Sequence, residues 1–254
     1  MKRQPLFRDK LIVWINSASL ERSVAIARDL RGCSKTALVS PTFFLANGPH
    51  GVRCFFELGI PDVILDMRIL GDSKEIWQCT TAAAVHGAKA ISVHALAGTK
   101  GLEMALEAAE ASKQMTYKVR RPLILGSLLP ASMDDATIID DLGLRERRSK
   151  HVERLARRII TVGADGIIAE YEDIKTIRRV SRRIPLFIFS QRAANNFAEV
   201  QHPEDAELAG ITEILEAKAD HVIFDSTFVE RTDVEWAADL INKELEPFKA
   251  REKV

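Results

Sequence analysis

Eight short, nearly continuous apolar runs recur along the chain, at intervals that leave room for one helix between neighbouring runs. Their lack of polar alternation is typical of parallel strands that are covered on both faces, and not of an antiparallel sheet with one face in water. The runs predict eight strands, at Leu11–Asn16, Thr36–Ser40, Asp62–Ile69, Ala90–Ala95, Pro122–Leu129, Gly166–Glu170, Pro185–Ser190 and His221–Ser226.

Amphipathic segments with helix start signals lie between these runs. Ser19 precedes one such segment, and Pro203 opens another at a position where a first helical turn accepts proline. Alternating strands and helices over 254 residues predict an α/β fold, a (β/α)8 TIM barrel in which residues 1–254 form a single domain. The alternative is a doubly wound open sheet, but the first strand is followed by Asn16-Ser17-Ala18-Ser19 and not by the GxGxxG turn of that fold.

Composition excludes several classes of function. Lys plus Arg and Asp plus Glu both number 36, so the overall charge gives no indication of nucleic-acid binding, and the basic cluster from Arg145 to Arg158 is predicted to be a solvated helix face. Cys33, Cys54 and Cys79 lack CxxC spacing and are expected to be reduced, mostly structural thiols. Because no long uncharged apolar span or apolar leader is present, we expect no membrane contact and a cytoplasmic location.

Charged residues gather where the third apolar run ends. Asp66, Arg68 and Asp72 follow Val63-Ile64-Leu65 directly. Barrel enzymes build their active sites at the C-terminal ends of the strands, so these three residues are the predicted catalytic group. The alternative is a structural ion-pair network that closes the barrel mouth.

Several segments together resemble the orotidine 5'-monophosphate decarboxylase family, a barrel group whose suprafamily includes sugar-phosphate decarboxylases and aldolases. The resemblance covers nearly the whole chain. It is carried by Leu11–Asn16 with Ser19-Leu20-Glu21, Phe43–Pro49, Ile64–Arg68, Ile91–Ala95 with Gly98, Ser132–Asp135 running to Leu144, and Pro203–Ala206 running to Ile223.

The resemblance implies roles for the charged group, together with two departures. The family ends its third strand in Asp-x-Lys-x-x-Asp, where the first Asp crowds the substrate carboxylate and the Lys protonates the carbanion left by carbon dioxide. Asp66 matches the first Asp, but Arg68 stands at the Lys, and an arginine is a good anion clamp and a poor proton donor. The last Asp falls one position late, at Asp72. The family's second Lys, from the second strand, has no match, since Lys35 lies too early.

The resemblance also implies a ligand-binding set. Asn16 replaces an Asp that contacts ribose, His94 ends the fourth strand, and Ser132 matches a Ser that touches the pyrimidine. Each has a structural alternative: a strand-end turn former, a packed histidine and a helix N-cap. The family's phosphate motifs are replaced by polar loops, in which the candidates are Gln191, Arg192 and Ser226, the last at the position of an Arg.

Three functions compete on this sequence. The first is decarboxylation of orotidine monophosphate to uridine monophosphate without metal or cofactor. The second is a divergent sugar-acid or sugar-phosphate lyase in which Asp66 ligates Mg²⁺. The third is a catalytically silent paralogue kept for binding or assembly, favoured by the lost Lys positions. The resemblance further implies a homodimer that binds a small-molecule ligand. The candidate ligand is a nucleotide monophosphate.

Overall fold

The computed structural model describes residues 9–115, 120–190 and 211–225. Eight strands pair in chain order and close into a barrel. Every predicted strand is present, with ends within two residues of those expected, so the predicted (β/α)8 barrel is confirmed. The strands are β1 (Leu11–Ile15), β2 (Thr36–Val39), β3 (Asp62–Ile69), β4 (Ala90–His94), β5 (Leu123–Ser127), β6 (Gly166–Glu170), β7 (Leu186–Phe189) and β8 (His221–Asp225).

Helices alternate with these strands. Ser19 caps the first one, because its hydroxyl accepts a hydrogen bond from the backbone N–H of Arg22 at 3.2 Å, as the sequence predicts. The helix predicted to open at Pro203 lies outside the described residues. The described helices are α1 (Leu20–Leu30), α2 (Pro41–Glu57), α3 (Ser73–Val85), α4 (Gly98–Met115), α5 (Arg148–Thr161), α6 (Ile174–Val180) and α7 (Ile211–Glu216).

Internal contacts group the chain into two compact units, and the first comprises residues 1–66 and 189–254. In this unit β1 pairs in parallel with both β2 and β8, and β2 pairs with β3. The Trp14 and Phe189 rings meet edge to face with their centroids 5.1 Å apart. The prediction that residues 1–254 form one domain stays a prediction.

The second unit comprises residues 67–188, from the end of β3 into β7. In its strand register, His94 of β4 lies opposite Ser127 of β5, and Ser127 lies opposite Ile168 of β6. These three residues therefore lie at the same level along the barrel axis. A Cβ on Gly126 would meet Ile159 of α5, so Gly126 faces the helices and its neighbour Ser127 faces the barrel interior. Paired positions of parallel strands point the same way, so His94 and Ile168 face the interior too.

The basic cluster is only partly the solvated face that the sequence predicts. Arg147, Arg154 and Arg157 are exposed, but two arginines turn towards the protein. Arg158 Nη1 donates to the Ala95 carbonyl at 3.3 Å, and Arg148 pairs with buried Asp173. A charged helix carries inward arginines where a buried acceptor is within reach of the side chain.

The three cysteines are free thiols, in agreement with the sequence prediction. Over the described ranges, no helix combines the length and the apolar character needed to span a membrane.

Candidate active site

Arg68 lies near the end of β3 in a conformation that is rare for its residue type. Its φ of 45° falls in the left-handed region, and its backbone N–H donates to the Ser92 hydroxyl on β4 at 2.7 Å. An L-residue pays about 1–2 kcal/mol for this conformation, so it persists only where the surroundings enforce it, which often happens at functional sites. The guanidinium is half-buried, and its charge acts on both His94 and Glu170.

His94 is the last residue of β4, and one of its ring nitrogens accepts a hydrogen bond from the backbone. Its Nδ1 accepts from the backbone N–H of Leu96 at 3.2 Å, at the start of the one-turn helix Ala95–Ala97. Burial lowers the pKa of His94, and the positive charge of Arg68 lowers it further. The ring is therefore neutral at pH 7, and because Nδ1 is an acceptor, the ring proton sits on Nε2.

Glu170, the last residue of β6, is a buried carboxyl group with one satisfied oxygen. Oε1 accepts from the backbone N–H of Ala131 at 3.3 Å, whereas Oε2 has no hydrogen-bond partner among the described residues. Glu170 is two positions after Ile168, so it faces the interior one level nearer the strand ends. The side chain is 4% exposed.

The environment of Glu170 favours its neutral form. Burial raises the pKa of this carboxyl to about 7, and the negative charge of Asp173 adds to the rise. Arg68, the Ala131 N–H and Arg148 oppose the rise but do not overcome it. Near neutral pH the group is therefore divided between carboxylic acid and carboxylate.

Ser127 provides a second unpartnered atom on the same interior face. The residue is 1% exposed, and its Oγ has no hydrogen-bond partner among the described residues. Buried polar atoms are nearly always hydrogen-bonded, to water or ligand if not to protein. Ser127 and Glu170 thus mark a place in the second unit, at the C-terminal ends of β5 and β6, that suits a polar ligand.

A buried ion pair holds the segment that follows β5. Both guanidinium nitrogens Nη1 and Nη2 of Arg148 bind the Asp173 carboxylate, the Nη2–Oδ2 distance being 2.9 Å. Nη2 also donates to the Leu129 carbonyl at 2.9 Å, and the Arg148 backbone N–H donates to Asp135 Oδ1 at 2.7 Å. Arg148, the first residue of α5, therefore holds the first half of the segment between β5 and α5 through Leu129 and Asp135.

Ser132 lies in this segment and is exposed. The predicted alternative, a helix cap, is wrong for this residue, because Asp134 takes that role at the start of the short helical segment Thr137–Asp141: its Oδ1 accepts from the backbone N–H of Thr137 at 2.8 Å. An aspartate two residues nearer the helix reaches the unpaired N–H groups more directly. The predicted contact of Ser132 with a ligand stays a prediction.

The other predicted residues are dispersed. Asp72 is an exposed N-cap of α3 and accepts from the backbone N–H of Glu75 at 2.9 Å. Asp66 is 1% exposed on β3, and Asn16 is half-buried directly after β1, both in the first unit. Lys35 pairs with Asp9 at 2.7 Å just before β2 begins, so it lies at the opposite end of that strand from the expected lysine. Gln191, Arg192 and Ser226 lie outside the described residues.

Sequence reasoning missed Ser92, Ser127 and Glu170. The signal for Glu170 was available, since an acid ends the apolar run Gly166-Ile167-Ile168-Ala169 just as Asp66 ends its own run. The two serines have no comparable signal, because small polar residues inside apolar strands are common. Within the ranges that the structure describes, no three His, Cys, Asp or Glu side chains come together as a metal site.

Curated proteins with similar sequences are named orotidine 5'-phosphate decarboxylase. An orotidine 5'-phosphate decarboxylase of Chromobacterium violaceum is 24% identical over 239 residues, which cover 94% of this chain and 92% of the relative. The enzyme of the same name from Anaeromyxobacter sp. is 29% identical over 172 residues, covering 66% of this chain and 71% of the relative. No protein-family model matches the chain.

Solved structures agree on the fold. The crystal structure of orotidine 5'-phosphate decarboxylase from Lactobacillus acidophilus superposes with a TM-score of 0.75 at 18% identity, and the match covers 93% of this chain and 99% of that one. The closed barrel is thus shared with this structure, and the sequence match to the Chromobacterium violaceum relative extends over nearly the whole chain. At low identity, the chain thus resembles the orotidine 5'-phosphate decarboxylases in sequence and has the same barrel fold as the solved structure of that name.

Proposed function

We propose that this chain is a decarboxylase of the orotidine 5'-monophosphate type, which releases carbon dioxide from orotidine 5'-monophosphate to give uridine 5'-monophosphate. The relatives' shared name supports the substrate class. The observation that carries the proposal is the interior polar group Arg68, Ser92, His94, Ser127 and Glu170. It combines a cation with two buried oxygens that have no hydrogen-bond partner in the part of the chain that the structure describes. A site kept only for packing would be filled with apolar side chains.

Arg68 has a binding role in this proposal. A guanidinium presents paired N–H donors that match a carboxylate or phosphate, and it keeps its proton throughout. The Ser92 hydroxyl accepts a hydrogen bond from the backbone N–H of Arg68 and so fixes the position of the Arg68 backbone, from which the side chain extends. Asp66, which matches the first Asp of the family motif, keeps the catalytic role predicted for it.

The assay follows the loss of orotidine 5'-monophosphate absorbance with purified protein. We expect turnover in the wild type and a loss of about 10²-fold or more in kcat/KM for Arg68→Ala, because an anion loses its charged partner. Arg157→Ala is the matched control, since that arginine is exposed on α5 and pairs with Glu153 one turn earlier on the same helix. Absence of turnover at high protein concentration contradicts the proposal.

The second candidate is a catalytically silent paralogue that binds the ligand. It is favoured by the loss of both family lysines, as β2 contains none and Arg68 occupies the other position. Calorimetric titration with uridine 5'-monophosphate separates the two candidates: binding without turnover supports the silent paralogue. A magnesium-dependent lyase using Asp66 remains testable by melting the protein with Mg²⁺ and with chelator, where equal melting temperatures argue against it.

Assembly and location belong to the same proposal. We take the protein to act as a homodimer in the cytoplasm, as the family resemblance implies. Sedimentation of the purified chain tests the dimer directly.

A further inference from the structure

Decarboxylation leaves an electron pair on carbon that has to be protonated. In the proposed reaction the bond between the ring carbon and the carboxylate breaks, and its electrons stay on the ring as carbon dioxide departs. The family supplies the proton from a lysine at the position of Arg68. A guanidinium does not give up its proton in proteins, so this chain needs another donor.

We infer that Glu170 is this proton donor, an inference that rests on the proposed function. Its Oε2 is buried, faces the barrel interior and has no partner among the described residues, whereas Oε1 is anchored to the Ala131 N–H. One oxygen is thus fixed, and the other is left to carry and deliver a proton. The acid faces the barrel interior as Ser127 and His94 do, one level nearer the strand ends than the level that those two residues share.

His94 is the weaker candidate in this unit. Its pKa is lowered, so it is neutral at pH 7, and a neutral imidazole N–H is a far weaker acid than a carboxylic acid. Its Nδ1 is also occupied by the Leu96 N–H. The raised pKa of Glu170, about 7, instead keeps a large fraction of this side chain protonated at neutral pH. Efficient general acids have a pKa close to the working pH.

The step balances in atoms and charge. The Oε2–H bond breaks, a C–H bond forms with the electron pair left on the ring, and Glu170 becomes a carboxylate. Three charged groups act on that carboxylate: Arg68 and Arg148 stabilise it and Asp173 destabilises it. A proton from solvent restores the acid before the next turnover, so the net reaction consumes one proton and releases one carbon dioxide.

The variant Glu170→Gln tests the inference, because the amide keeps the shape and can still accept from the Ala131 N–H. We expect kcat to fall by about 10²–10⁴-fold, the usual contribution of a positioned general acid, with KM nearly unchanged. Glu172→Gln is the matched control: this neighbouring acid is exposed, and its removal should leave kcat within about twofold.

The pH profile gives a second readout that does not depend on a variant. Wild-type kcat should fall as the pH rises above about 7, because the carboxylate cannot donate, and Glu170→Gln should lose this limb. A flat wild-type profile, or turnover by Glu170→Gln within threefold of wild type, overturns the inference and leaves the proposed function intact. A wild type that binds nucleotide without turnover overturns both.

Discussion

The backbone N–H of Arg68 donates to the side-chain hydroxyl of Ser92 at 2.7 Å, and this bond joins the end of β3 to β4. It supports a residue whose φ is 45°, where a side chain is strained. The pairing positions a cation at the strand ends by backbone geometry, and the charge of this guanidinium acts on His94 and Glu170.

Replacing Arg68 tests the left-handed backbone. Arg68→Gly and Arg68→Ala both remove the guanidinium, but only glycine adopts positive φ without steric cost. We expect the glycine variant to be the more stable of the two by about 1 kcal/mol, measured by urea unfolding. Equal stability, or a more stable alanine variant, would show that the backbone at this position is not left-handed in solution.

Ser92→Ala tests the hydrogen bond itself. Removing the hydroxyl leaves the Arg68 N–H without this acceptor, and we expect a loss of about 1–2 kcal/mol in the free energy of unfolding. Ser112→Ala is the matched control, since Ser112 is equally buried but donates to the carbonyl of Ala109 in its own helix. The control should lose less, and a loss equal to that of Ser92→Ala would contradict the assignment.

We expect breaking the Arg148–Asp173 ion pair to lower the free energy of unfolding by more than removing the Ser92 hydroxyl does. Arg148→Met leaves the Asp173 carboxylate, which is 4% exposed, without its bidentate partner, and breaking such a pair costs about 3–5 kcal/mol. Arg154→Met is the control on the same helix, because both partners of its pair with Glu146 are about half exposed. Thermal or urea unfolding should show a change of about 0.5 kcal/mol or less for the control. Similar losses for both variants would mean that the buried pair contributes no more than a surface pair.

The fold could be read from the sequence far better than the site. Strands buried on both faces must be apolar throughout, so each run was visible, and β3 and β6 have the predicted bounds, Asp62–Ile69 and Gly166–Glu170. Asp72 looked catalytic because it follows β3, yet the pattern Asp72-Ser73-Lys74-Glu75 also fits a helix start, which is the role the structure shows.

The environment of Glu170 could not be predicted from the sequence, for a physical reason. Whether Glu170 is an exposed strand-end acid or a buried one depends on packing by Arg68, Ala131 and Arg148, which are 22 to 102 residues away in the chain. Desolvation is a property of the assembled environment, so no local pattern reveals a raised pKa. The sequence shows that an acid is present, and only the fold shows that it is buried.

The raised pKa of Glu170 predicts a specific pH dependence of stability. The folded value is about 7 and the ordinary value is 4.5, so the folded protein binds this proton more tightly than the unfolded chain does. The stability that this group contributes is fully present below about pH 4.5 and is lost as the pH rises through about 7. Glu170→Gln cannot titrate, so its free energy of unfolding should exceed that of the wild type increasingly with pH, by about 3 kcal/mol at pH 8.

His94 has the opposite dependence, since its lowered pKa favours stability at higher pH, but it is present in both proteins and largely cancels in the difference. Urea unfolding at several pH values measures the difference, with exposed Glu172→Gln as the control that should show no such trend. A difference that stays constant across this pH range would mean that Glu170 is solvated in the native protein, and the case for a buried acid at the strand ends would fail with it.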